Sequence, residues 1–73
     1  MKKTITEQLR NLGLTNTQIK FVNNNLRYRG MCFNRITRVD YRYIEQWGNF
    51  VFDFTDENNG EICEIDASAV FCR

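Results

Sequence analysis

Cys32, Cys63 and Cys72 are the residues of this sequence best suited to nucleophilic, redox or metal chemistry. Their spacings of 31 and 9 residues fit no C-x-x-C pattern, and the chain has no histidine to complete a site. Neither a metal nor a cofactor is expected. Cys63 alternates with apolar neighbours and reads as a small buried hydrophobe. Cys32 follows Gly30 in an arginine-rich stretch, the better setting for a reactive thiol. Asp53, Glu64 and Asp66 fall where they converge on one face of a sheet. Acid–base catalysis by such carboxylates needs a pocket that sets their pKa values apart. The missing histidine also removes the commonest general base. No nucleophile–base pair can be named, so no catalytic residue is assigned and an enzyme is not expected.

The other chemically loaded segment is "RYRGMCFNRITRVDYRY", residues 27–43, with five arginines, four aromatic rings and one acid. Arginine on phosphate and rings stacked on bases would make it a nucleic-acid surface, carried by Arg27, Arg29, Arg35 and Phe33. The charge layout points elsewhere. Residues 1–43 hold nine Lys and Arg against two acids, and residues 44–73 hold one Arg against seven acids. The net charge is only +1, whereas nucleic-acid domains usually carry a clear positive excess. If the basic segment pairs with acidic strands, Arg38 and Arg42 are engaged within the molecule.

Positioning these groups falls to a single domain over residues 1–73. A chain this short buries only roughly 60% of its unfolded surface, so it needs large core side chains. It has them: 14% of residues are aromatic, with Phe50, Phe52 and Phe54 in one run. The segment "MKKTITEQLRNL" lacks the apolar core of a secretory signal, and no run approaches the ~20 apolar residues of a membrane span. With an odd number of cysteines, these features lead us to expect a cytoplasmic protein without a membrane partner.

Two helices are read from the first thirty residues. Thr4 with Glu7, and Thr15 with Gln18, have capping-box spacing. Ile5, Leu9 and Leu12, then Ile19, Val22 and Leu26, recur at helical intervals, and Gly13 and Gly30 follow as stops. Leu14 and Ile19 are placed to close a hydrophobic staple. A helix-turn-helix would need a third helix, so an αα-hairpin over a sheet is the better reading.

From Thr37 the period becomes two. Val39, Tyr41 and Tyr43 alternate with Arg38, Asp40 and Arg42; Phe50, Phe52 and Phe54 alternate with Val51 and Asp53. Turning at Trp47-Gly48 would set Tyr43 against Phe52, Tyr41 against Phe54 and Arg42 against Asp53. Turning at Asn59-Gly60, as a type I′ pair, would set Asp53 against Asp66, a like-charge clash. "AVFC" reads as a short fourth strand or a packed tail, and residues 31–36 have no clear place beyond an early start to the first strand. The expected fold is therefore α+β: two N-terminal helices on one face of a three- to four-stranded antiparallel meander, α-α-β-β-β. The helices should cover Val39, Tyr41, Tyr43, Phe50, Phe52, Phe54, Cys63 and Ile65.

That leaves the opposite face open, with Arg38, Arg42, Ile44, Val51, Asp53 and Glu64 upon it and Ile44 facing Val51. Apolar residues rimmed by both signs of charge suit a protein partner. Tyr28, Arg35 and Trp47 add anchors of the types enriched in hot spots. The leading expectation is a non-enzymatic protein-binding module that inhibits or modulates a larger protein or complex. Its size, missing catalytic apparatus and bipolar charge resemble those of small phage-encoded inhibitors, a likeness of style that no motif carries. The alternative is a small DNA- or RNA-binding regulator using residues 27–43. A third reading is a homodimer formed through the bare face or an edge strand.

Overall fold

The computed structural model describes residues 4–71. Two helices lead: α1 (Ile5–Asn11) and α2 (Asn16–Tyr28). The Thr4 hydroxyl accepts from the Glu7 N–H at 3.2 Å, and Thr15 and Gln18 close a reciprocal box at 3.3 and 2.8 Å. Both helices end the same way. Leu14 N–H donates to Leu9 C=O and Gly13 N–H to Arg10 C=O; Met31 N–H donates to Leu26 C=O and Gly30 N–H to Arg27 C=O. These are Schellman pairs. The apolar residues that accompany them, Leu9 with Leu14 and Leu26 with Met31, all lie in the core.

A 3₁₀ turn, Phe33–Arg35, occupies the stretch that sequence could not place, so the first strand does not start early. Strands β1 (Arg38–Ile44), β2 (Asn49–Asp56) and β3 (Glu61–Asp66) form an antiparallel sheet in the order β1-β2-β3. Among the described residues no fourth strand is formed. Residues Ala67–Phe71 make a short helix, α3. Asp66 starts it, its Oδ1 accepting from the Ser68 N–H at 2.9 Å and from the Ser68 hydroxyl at 2.8 Å. Ala67 and Val70, three apart, then face the core. Cys72 lies outside the described residues.

Both hairpin registers differ from the expectation by two residues. Tyr41 pairs with Phe52, Tyr43 with Phe50 and Arg42 with Val51; Ile44 pairs with Asn49 rather than with Val51. Asp53 pairs with Glu64, and Asp66 with Val51. The cause lies in the turns. Each is four residues long, Glu45–Gly48 and Glu57–Gly60, with only its final glycine left-handed, at φ 65° and 74°. A type I′ turn needs positive φ at two successive residues, and no non-glycine residue has it among those described. A two-residue slip preserves the side-chain faces, so the alternation survives. Any Cβ added at Gly60 meets nothing within 4 Å, yet the backbone there disfavours an L side chain. Gly60→Ala should therefore lower stability by about 1–2 kcal/mol in urea unfolding, with the fold retained.

The core forms between the helices and the β2–β3 half of the sheet. Leu9, Val22, Leu26, Phe52, Phe54 and Val70 are fully buried. No helix among the described residues is long and apolar enough to cross a membrane.

Candidate functional site

Two surfaces emerge. The face away from the helices carries the predicted set Arg38, Arg42, Ile44, Val51, Asp53 and Glu64, brought together by alternation on three strands. Arg42 reaches across β2: its Nε donates to Asp53 Oδ2 and its Nη2 to Glu64 Oε2 at 2.5 Å. One cation thus bridges two carboxylates that the ladder sets directly opposite each other. Arg38 pairs with Asp40 at 2.9 Å. Val51 is fully buried on this face, with Arg42 and Asp66 as its paired neighbours. Its charges are thus largely satisfied within the molecule, and Ile62 is its most exposed apolar residue.

The hydrogen bond to Asp53 first, then the charges of Asp53, Glu64 and Asp40, hold the Arg42 guanidinium above its ordinary range. A raised cationic pKa contributes stability that is fully present below the unfolded-state value and lost only above it. Arg42→Met should accordingly lower the urea midpoint, because Asp53 and Glu64 are left facing each other. The deficit should stay constant from neutral to strongly alkaline pH, and close only where acid neutralises the carboxylates.

The second surface lies on the helix side, where sequence placed only core. Tyr41, Tyr43 and Phe50 are not covered: they are 42, 51 and 43% exposed. Phe71 of α3 and Trp47 in the β1–β2 turn are 42 and 58% exposed. The rings touch. Tyr41 stacks on Phe50 with centroids 4.8 Å apart and planes within 2°, and Tyr43 meets Phe50 edge-on at 5.1 Å. Tyr41 continues to the buried Phe52 at 4.9 Å, and Phe52 to Phe71 at 5.7 Å. A row of exposed rings is thereby anchored on the core. The reason is length. Helices of 7 and 13 residues span about 10 and 20 Å at ~1.5 Å per residue, too little to roof the whole sheet. Helix length against the number of apolar strand positions was the signal that could have found this surface.

The proposed nucleic-acid residues are dispersed. Arg27 and Phe33 line one shallow groove with Asn23, Met31 and Cys32. Arg29 turns away from it: its Nη1 donates to the Glu64 carbonyl at 2.7 Å and contacts Cys63 Sγ at 3.4 Å. Arg35 sits exposed in the 3₁₀ turn, and Tyr28 is exposed at the end of α2. Among the described residues no group of three His, Cys, Asp or Glu is placed to hold a metal ion.

Set against known protein families, curated proteins and solved structures, the chain finds no match.

The strand borders complete the geometry. Val39 N–H donates to Gln8 Oε1 at 3.2 Å, and Gln8 Nε2 donates to the Thr37 carbonyl at 3.3 Å. Val39 therefore points its backbone away from β2. By the alternation of an antiparallel ladder, so do Tyr41 and Tyr43. Gln8 covers this border as far as Val39. Beyond it, the outer backbone groups of Tyr41 and Tyr43 lie beside their own exposed rings. On β3, the Glu64 carbonyl is taken by Arg29.

Proposed function

We propose that this chain is a non-enzymatic protein-binding module of the cytoplasm that modulates a larger partner, and that its contact surface is the ring platform of Tyr41, Tyr43 and Phe50. The observation that carries this reading is the stacked, half-exposed trio itself. A small domain gains most of its stability from buried rings, so leaving three together in water is a cost that a binding role explains. Tyr41 leans on the buried Phe52 and stacks on Phe50, which holds the rings in place, so little side-chain freedom is lost on contact. Phe71, which touches Phe52, adds a further half-exposed ring. The back face serves the fold instead: the Arg42 bridge neutralises charges that a partner would otherwise have to meet.

The test is affinity capture from a cell lysate, with and without nuclease, comparing the wild type with a Tyr41→Ser, Phe50→Ser double variant. Proteins captured despite nuclease, and lost from the variant by roughly 100-fold or more, are the expected result. Both substituted rings are partly in water, so the variant should keep its helical circular dichroism. Capture that vanishes on nuclease treatment, or falls steeply with salt, would instead support the nucleic-acid alternative through the Arg27–Phe33 groove. Undiminished capture by the variant would move the contact off the platform.

A further inference from the structure

We infer that the platform is half of a larger groove, completed by a second copy of the chain joined through the open end of β1. This inference rests on the reading of the rings as a contact surface and names what finishes that surface. Four observations lead to it.

First, the border of β1 is divided. Gln8 occupies it up to Val39, while Tyr41 and Tyr43 present outward backbone groups in a strand that no other strand covers among the described residues. An uncovered strand end beside exposed rings is a template for strand addition. Second, Gln8 limits the register. Two β1 strands related by a twofold axis at Tyr41 would drive Tyr43 and Ile44 of one copy into Gln8 of the other. An axis at Arg42 avoids this. It pairs Tyr41 of each copy with Tyr43 of its mate, satisfying the outward N–H and C=O of both residues. Third, the axis residue tolerates its twin. Arg42 is drawn across β2 toward Asp53 and Glu64, away from the border, and is neutralised there. Fourth, a net charge of +1 gives two copies almost no mutual repulsion.

Strand addition of this kind leaves the rings uncovered and sets two sets of them side by side. The three-stranded sheet becomes one continuous sheet of twice the width. Tyr41, Tyr43 and Phe50 of both copies form its central strip, and the two helical layers stand at either side. The result is a ring-floored trough, wide enough for a helix or extended segment of a larger protein, where one copy alone offers a ledge.

Sedimentation equilibrium at loadings up to about 1 mM reads the first step. A concentration-dependent doubling of mass is expected. Amide exchange by ¹⁵N NMR reads the mode: protection at Tyr41 and Tyr43 should rise with concentration, while Ile62 on the opposite border stays unchanged. Tyr43→Pro deletes an outward N–H that makes no bond to β2, a position where proline is tolerated. It should raise the dimer Kd by about tenfold or more relative to Tyr43→Ala, which keeps that N–H. Should the proline variant fail to fold, exchange in the wild type decides alone. A protein monomeric at every loading would overturn the inference. So would a dimer whose Tyr41 and Tyr43 amides stay unprotected. A monomer that still captures proteins through its rings would overturn the dimer and leave the proposed function standing.

Discussion

Phe54→Ala should leave the protein largely unfolded at room temperature. Phe54 is fully buried, packs beside Phe52 at 6.3 Å between centroids, and pairs with Cys63 across the ladder. Removing a buried phenylalanine costs about 3–5 kcal/mol, the sum of lost transfer energy and the cavity left behind. A domain of 73 residues has roughly 5 kcal/mol in all. The two figures nearly cancel, so the native population should collapse. Near-ultraviolet circular dichroism and a urea titration will show it as a lost aromatic signal and a missing folded baseline. Phe50→Ala is the contrast. Its ring is 43% exposed, so most of the fold should survive while binding is lost.

The second large effect concerns α3. Val70→Asp should abolish cooperative unfolding, and truncation after Asp66 should do the same. Val70 is fully buried in the cluster of Leu26, Phe52 and Ile65. An unpaired carboxylate buried there costs more than about 4 kcal/mol. Truncation removes Ala67 and Val70 together and strips Phe71 from Phe52, opening the core on one side. Thermal melting followed at 222 nm should lose its sigmoid in both variants. Ser68→Ala is milder: it deletes one of the two Asp66 contacts and should cost about 1 kcal/mol or less.

Local signals in the sequence carried most of the fold. Thr15 and Gln18, three apart, must cap a helix that starts between them, and the structure closes that box with two hydrogen bonds. The change of period at Thr37 located the sheet and assigned each strand residue to a face. Register was not legible for a definite reason. A slip of two residues returns every side chain to its own face, so alternation cannot detect it. Only the turn conformation decides, and in both turns that depends on one glycine at the fourth position. The ending stayed open between a strand and a packed tail because "AVFC" is apolar in either form; it packs on the core as a helix, set by Asp66 accepting from Ser68, a short-range contact that outweighs β-propensity. The candidate surface was hidden for a different reason. Alternation says that Tyr41, Tyr43 and Phe50 share a side with Phe52, but not how far two short helices reach along it. Burial is a property of the assembled layers, and the exposed rings became visible only when those layers were stacked.

Arg29 has a consequence for strand addition at the outer border of β3. By seizing the Glu64 carbonyl it breaks the outer row of β3 in the middle, and Asp66 at the end of that row turns into α3. A strand arriving at that margin would find no unbroken run to template upon. Strand addition at β3 is thereby disfavoured, and any pairing through β1 would close without further lateral growth.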